Sequence, residues 1–321
     1  MIGGLGHDRT AAIGYAHAKI ILVGEHAVVY GQPALAMPLQ ALTVRAAILR
    51  AKGPLALECP IFAGPLREAP VELSGVATAF TATLDRLGMR RADLLLRLRS
   101  SVPPARGLGS SAASAAAVVR AVYESVGAAA DARELRGLVD LAEDQVHGTA
   151  SGVDSAGVLA EGPFLFRTGQ QPEPVPAGAG AVLLIGDTGC SAETRTAVAE
   201  VRQRLDSRAQ EVLGTMAELG DLTRFAEAAL RAGDIPGLGR ALDAAQRALE
   251  SLGVSHPLVH RLVQRARKAG ALGAKLTGGG LGGAMIALAA DDEAARSIAQ
   301  ALRDEGAVDT WRQPIAVGVQ A

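Results

Sequence analysis

The chain has 321 residues, of which 49% are hydrophobic and 20% charged, and 32 Lys plus Arg face 33 Asp plus Glu for a formal net charge of -1. That composition excludes a solvated tail, because enough apolar surface exists to fold. The near-neutral balance, the absence of a basic block and aromatics at only 3% argue against a nucleic-acid partner.

Single domains commonly run about 100 to 200 residues, so two domains are expected. Cys59 and Cys190 are the only cysteines, too few and too far apart for a disulfide framework or a zinc site, which fits a reducing cytosol. No apolar run reaches the roughly 20 residues of a membrane helix. Residues 1–14 lack a charged segment followed by an apolar one, so a soluble, untargeted, cytoplasmic protein is expected.

In chain order, "KIILVGE" and "LTVRAAILR" read as strands, "VELSGVATAFTATLDRLG" as a helix and "ADLLLRLRS" as a strand again, a mixed α/β pattern. Alternation puts Leu94, Leu96 and Leu98 on one face of the last strand, with Arg97 and Arg99 on the other. "SSAASAAAVVRAVYESVG" reads as an Ala-rich helix. "DARELRGLVDLAEDQVHG" reads as another, opened by Asp131 and Glu134 at capping-box spacing and ending near Gly148.

The Pro- and Gly-dense stretch "QQPEPVPAGAG" marks a domain boundary, giving domains 1–175 and 176–321. After the strand "AVLLIGD", residues 191–270 read as helical with a break at "AGDIPG", and Leu238, Leu242, Ala245, Leu249 and Leu252 form one packed face. The rest reads strand, Gly-rich loop, strand, helix, strand, an α+β second half.

Four stretches carry chemistry. In "PPARGLGSSAASAAA", Gly107 and Gly109 precede Ser110 and Ser111 at a helix start. Glycines admit a ligand close to the backbone, and the free N–H groups and positive dipole end of the helix favour phosphate. An ordinary N-cap is the competing account, but a cap needs one glycine and one serine, and here both are doubled. The stretch is not a P-loop, which requires a lysine before the hydroxyl residue.

In "AEDQVHGTASGVDSAG", the Glu143 and Asp154 carboxylates flank a turn 11 positions apart, where one suits a divalent cation and the other a proton. Taken alone, Glu143 as a solvated helix charge, Asp154 as an N-cap and His147 as a helix-end residue are the better readings. "KLTGGGLGGAMIAL" packs five glycines into six positions, more than a turn needs, and suits a loop that hugs a nucleotide or a neighbouring loop. "AHAKIILVGEH" places Lys19 at the head of a buried strand and Glu25 with His26 at its tail; beside a cleft, such a lysine stabilises a transferring phosphoryl group.

Together and in this order, "KIILVGEHAVVYGQPALAMPL", "PPARGLGSSAA", "HGTASGVD", "DTGCSAETRTAVAEVR" and "KLTGGGLGGAMIAL" resemble the GHMP kinases, the superfamily of galactokinase, homoserine, mevalonate and phosphomevalonate kinases. Within it they are most similar to the mevalonate kinases, with "AHAK" and "PPARGLGSS" pointing to the bacterial branch. The matching stretches run from residue 15 to 288, with weaker similarity to 313.

The resemblance implies a two-domain α+β fold: an N-terminal α/β domain of the ribosomal-protein-S5-like type and a C-terminal ferredoxin-like domain, with ATP between them. It implies that Gly107, Leu108, Gly109, Ser110 and Ser111 wrap the ATP phosphates and that Ser111 and Glu143 hold Mg2+. Asp154 becomes the base with Lys19 beside it, Glu25, His26 and Thr194 line the mevalonate site, and Gly278, Gly279 and Gly280 belong to a loop near the active site. The expected reaction is ATP-dependent phosphorylation of the C5 hydroxyl of mevalonate, a step of isoprenoid biosynthesis, and by analogy with relatives the assembly is a homodimer.

Two departures bear on the hold on Asp154 and on the choice of substrate: Thr149-Ala150 replaces a commoner Asn-Pro, and Ala192 stands where several relatives carry a substrate-contacting arginine. The alternatives are another kinase of the superfamily, such as homoserine or phosphomevalonate kinase, and a non-catalytic sensor on the same fold. Phosphomevalonate would call for a cationic cluster near Glu25 and His26, and the local sequence shows none. Cys190, beside the suspected substrate loop, reads as a small buried side chain.

Overall fold

Strands β1 (Ala12–Val23), β2 (Ala34–Arg50), β3 (Ala56–Cys59) and β4 (Phe62–Pro65) lead to helix α1 (Ser74–Arg86), strand β5 (Leu94–Ser100) and helices α2 (Ser110–Glu124), α3 (Ala132–His147) and α4 (Val153–Leu159). There follow β6 (Phe164–Phe166), β7 (Glu173–Pro174), β8 (Ala181–Asp187), α5 (Thr194–Ser207), α6 (Ala209–Ala232), α7 (Ile235–Ser251) and α8 (Pro257–Lys268), then β9 (Gly273–Thr277), β10 (Ala284–Ala289), α9 (Asp292–Asp304) and β11 (Asp309–Ile315). This is a computed structural model, and it describes residues 11–89, 93–147, 151–192 and 194–316. These gather into two units, one drawn from Met1–Ala16, Thr43–Ser101 and Ser111–Ala150, the other from His17–Leu42, Val102–Ser110 and Ser151–Ala321.

In the first unit, Val44–Arg50 of β2 pairs antiparallel with β5, β3 runs parallel to β5, and β4 closes a hairpin on β3. Leu94, Leu96 and Leu98 are buried, as the alternation requires, while Arg97 and Arg99 reach Glu58 of β3 at 2.8 and 3.4 Å. The hairpin of β3 and β4 has no sequence expectation behind it: each strand is four residues long, too short for a period to register. Helix α2 is buried along most of its length because its residues are small, and Gly14 of β1 lies against its backbone at Ala117 and Ala121. Cores built from alanine and glycine let backbones approach closely, which is how a chain poor in aromatics fills its interior.

Only half of the capping box at α3 forms. Asp131 Oδ1 accepts from the Glu134 N–H at 2.8 Å, but the Glu134 carboxylate goes to the Arg86 guanidinium instead of reaching back. Gly148 and the Thr149-Ala150 departure lie outside the described residues, as does the His147 side chain.

In the second unit, Ala34–Ala36 of β2 pairs with β6, which pairs with β7. The C-terminal half builds a four-stranded antiparallel sheet in the order β11-β8-β10-β9. Helices α5 to α8 connect β8 to β9 and α9 connects β10 to β11, which is the split βαβ arrangement of ferredoxin-like domains. Leu238, Leu242, Ala245, Leu249 and Leu252 are all buried, four of them within α7. Along the outer strand β9, the N–H groups of Ala274 and Leu276 donate to Asp243 Oδ1 at 2.9 Å and Gln246 Oε1 at 2.8 Å, so α7 satisfies the edge that would otherwise be open. The architecture is α+β, and among the described residues no helix is long and apolar enough to cross a membrane.

Candidate active site

β1 begins at Ala12, seven residues before Lys19, so Lys19 stands inside the strand and not at its head, with only 2% of its side chain exposed. Its backbone N–H donates to the Leu108 carbonyl at 3.0 Å, and its ammonium donates to the Gly107 carbonyl at 3.1 Å. The same ammonium pairs with Asp154 Oδ1 at 2.8 Å. A buried charge is costly unless it is paired, and Asp154 provides the opposite charge. The aliphatic stem runs between two glycines: a Cβ on Gly109 would meet Lys19 Cγ at 2.9 Å and one on Gly157 would meet Lys19 Cβ at 2.7 Å.

Asp154 is the second residue of α4. The N-cap is Gly152, in the left-handed region at φ 83°, and no side chain caps the helix, so the N-cap account of Asp154 does not hold. Its carboxylate instead sits in the first turn, where the helix dipole favours negative charge, a third exposed and paired with Lys19.

The loop before α2 carries three left-handed residues, Ala105 (φ 53°), Gly107 (φ 74°) and Gly109 (φ 72°), and α2 starts at Ser110. Its neighbour is the Gly-rich loop: a Cβ on Gly278 would lie 2.7 Å from Gly107 Cα. Gly279 lies against Thr194, whose Oγ1 would be 2.5 Å from a Cβ there. The five glycines thus serve contact with neighbouring loops, one of the two roles open from sequence.

Glu25 and His26 face the same assembly. The Glu25 carboxylate forms an ion pair with Lys275 of β9, both side chains being essentially inaccessible. Burial pushes the Glu25 carboxyl above its ordinary range, with Lys275 beside it the chief opposing influence. Burial likewise pushes the Lys275 ammonium down against the pull of Glu25. The second Glu25 oxygen, Oε2, is buried and has no hydrogen-bond partner among the described residues. The His26 ring lies 2.9 Å from the Gly279 carbonyl through Nε2. Burial holds its pKa below the ordinary value, so the neutral ring carries the proton on Nε2 and donates it to that carbonyl.

Ser111 and Glu143 belong to the first unit. Ser111 is the second residue of α2, and a Cβ on Gly75 of α1 would stand 3.3 Å from both its hydroxyl oxygen and the Ala142 carbonyl, so α1 passes close to the two helices that carry these side chains. Glu143 is 2% exposed, which rules out the solvated helix charge expected of it in isolation. Cys190 is half-buried and not buried as expected; its N–H donates to Thr188 Oγ1 at 3.1 Å, so it serves the loop through its backbone.

Lys275 and Arg106 escaped the sequence reading. No cationic cluster is expected near Glu25 and His26, and folding brings one cation there, Lys275, which is 250 residues away in sequence but in contact with Glu25 in space. It is wholly buried and engaged by that carboxylate, so it offers nothing to a phosphate. The available signal was a lone charge in the otherwise apolar run "GAKLT" of a buried strand.

These parts, a glycine loop at a helix start with a lysine–carboxylate pair beside it, are those of a small-molecule kinase, and comparison with known proteins agrees. The family models described as GHMP kinases N terminal domain and GHMP kinases C terminal match residues 74–162 and 226–308. The mevalonate kinase of Aeropyrum pernix is 35% identical over 304 residues, covering 90% of this chain and 92% of that protein. That of Pyrococcus furiosus is 32% identical over 316 residues, covering 92% and 93%. The crystal structure of L. major mevalonate kinase in complex with R-mevalonate superposes with a TM-score of 0.81 at 26% identity, covering 96% of each chain. The chain belongs to the GHMP kinase family, among its mevalonate kinases. The two curated relatives are archaeal, which weakens the bacterial assignment drawn from "AHAK" and "PPARGLGSS".

Proposed function

We propose that the chain transfers the γ-phosphoryl group of ATP to the C5 hydroxyl of (R)-mevalonate, giving 5-phosphomevalonate and ADP. The observation that carries this reading is the buried Lys19 ammonium, 2.8 Å from Asp154 and hydrogen-bonded to Gly107 of the glycine loop. Asp154 accepts the hydroxyl proton as the oxygen attacks, and Lys19 offsets the negative charge on the transferring group. The amides of Gly107, Leu108, Gly109, Ser110 and Ser111 take the ATP phosphates. Phosphoryl transfer has a loose transition state, so positioning and electrostatics carry most of the rate and proton abstraction a smaller part. Glu25, His26 and Thr194 line the mevalonate site, and Gly278, Gly279 and Gly280 back that site.

Ser111 and Glu143 would hold Mg2+. The donor set fits: a hydroxyl and a carboxylate are hard oxygen ligands, and Mg2+ in kinases is bound by one or two protein oxygens with substrate phosphates completing the shell. The bound ion would neutralise phosphate charge as it develops. The reading includes a division at 175/176, action in the cytoplasm in isoprenoid biosynthesis, and a homodimer.

The test is Mg2+-dependent ADP release with mevalonate, phosphomevalonate, homoserine and galactose offered separately, with and without EDTA. Turnover confined to mevalonate and abolished by EDTA is expected. Preference for another acceptor overturns the substrate, and no turnover with any of them favours a sensor.

A further inference from the structure

Arg106 lies within the glycine loop, and its side chain reaches the end of β8 and the segment that follows it. Nε donates to Asp187 Oδ1 at 2.8 Å, and Nη2 donates to the Gly189 carbonyl at 2.8 Å. Nη1 donates to the loop's own Pro104 and Ala105 carbonyls at 3.2 and 3.4 Å. All three guanidinium nitrogens are engaged, with 16% of the side chain exposed. Asp187 is itself held, since its Oδ1 also accepts the Gly189 N–H at 2.8 Å.

The main chain around Arg106 is laced to the same neighbours. The Ala192 N–H donates to the Ala105 carbonyl at 2.7 Å, and the Ala284 N–H donates to the Arg106 carbonyl at 3.2 Å. The Thr188 hydroxyl donates to the Gly283 carbonyl at 2.6 Å, and the Gly283 N–H donates to the Cys190 carbonyl at 3.0 Å. The guanidinium thus ties the glycine loop to Asp187 and Gly189, while the Arg106 main chain meets the end of the Gly-rich loop at Ala284.

The loop needs such fastening. Ala105, Gly107 and Gly109 occupy the left-handed region within five residues, and for Ala105, which has a Cβ, that conformation is strained. Strained backbone persists only where surrounding interactions over-determine it. A guanidinium, planar and with five donors in fixed directions, can hold a carboxylate and several carbonyls at once, which an ammonium on a flexible stem cannot do with the same geometry.

We propose that Arg106 is a positioning residue that, through Asp187 and Gly189, holds the glycine loop in the shape that binds the ATP phosphates. The proposal rests on the phosphate-binding role assigned to residues 107–111. Without Arg106 the loop samples other shapes, and the apparent affinity for nucleotide falls in proportion to the fraction that remains competent. If about one molecule in ten keeps the shape, the KM for ATP rises roughly tenfold.

The test measures steady-state kinetics and amide hydrogen exchange across 103–112 on the full chain, with and without Mg2+-ADP. The variants are Arg106→Ala, the milder Arg106→Lys, Asp187→Asn, and Arg106→Ala combined with Asp187→Asn. Arg106→Ala and Asp187→Asn are each expected to raise the KM for ATP about tenfold and Arg106→Lys by less, all with a smaller change in kcat and faster exchange of the ligand-free loop. The double variant should be no worse than the worse single, because both changes remove one linkage. An unchanged ATP KM and unchanged loop exchange in both Arg106 variants, or full additivity in the double, overturns the proposal. If Mg2+-ADP fails to protect the loop in the unaltered protein, the phosphate-binding reading itself falls and takes the proposal with it.

Discussion

Replacing Lys275 with methionine leaves the Glu25 carboxylate in a site where its side chain is 1% exposed and its only ion-pair partner among the described residues is gone. Breaking a buried pair from one side costs about 3–5 kcal/mol, because the remaining charge keeps its desolvation penalty and loses its compensation. At about 2 °C per kcal/mol for a domain of roughly 200 residues, the melting temperature should fall on the order of 6–10 °C. The loss should also depend on pH. Burial already raises the Glu25 pKa above its ordinary 4.5, and removing Lys275, the largest opposing influence, raises it further. A group whose folded pKa is raised contributes stability that is fully present below the unfolded value and lost as pH rises through the folded one. The deficit of Lys275→Met should therefore be largest at alkaline pH and shrink as pH falls toward 4.5. Adding Glu25→Gln should recover most of the loss, since a neutral pair of similar volume carries no uncompensated charge. Chemical denaturation at several pH values measures all three. A deficit below about 1 kcal/mol, one that does not change with pH, or one that Glu25→Gln leaves untouched would refute the argument.

Asp154→Asn keeps an oxygen to accept from Lys19 but removes the counter-charge of a buried ammonium, so it should lower stability by less than the about 3–5 kcal/mol of a fully buried pair, the carboxylate being one-third exposed, while kcat falls about 10²–10⁴-fold; wild-type turnover would show that Asp154 is not the base. In Gly157→Ala the new methyl would meet Lys19 Cβ at 2.7 Å, an atom fixed to the backbone, so the usual gain of alanine in a helix should be reversed into a cost of about 1–3 kcal/mol. Displacing the ammonium by about 1 Å should lower kcat by as much as 10²-fold, and a stabilised, fully active variant would contradict the packing described. His26 has a pKa held below its ordinary 6.5 by burial, so its contribution to stability is present above that value and lost as pH falls through the folded one. His26→Gln should flatten the loss of stability between pH 7.5 and about 5, measured by urea unfolding; an unchanged slope would place the ring in water.

Elements and motifs of local origin were legible in the sequence. β8 and the body of α2 follow from apolar runs and alanine content, the buried face of β5 from alternation at Leu94, Leu96 and Leu98, and the glycine loop and helix start from Gly107 to Ser111, because each signal lies within a few residues. The length of β1 is not legible locally, because the apolar run that marks it starts only after Lys19, which is buried inside the strand and does not head it. Short strands such as β3 and β4 carry too little pattern to stand out from loops.

What only the tertiary structure decided is which charge meets which. The local sequence favours Asp154 as a helix cap, and only the family resemblance sets it beside Lys19; the two residues, 135 positions apart, are brought together by folding, and the burial of Lys19 makes the pairing matter. The same holds for Glu25 with Lys275 and for Arg106 with Asp187. Sequence fixes the residue types because chemistry and backbone conformation are properties of each residue and its near neighbours. Burial, and with it the strength of every charge, is a property of the packed chain.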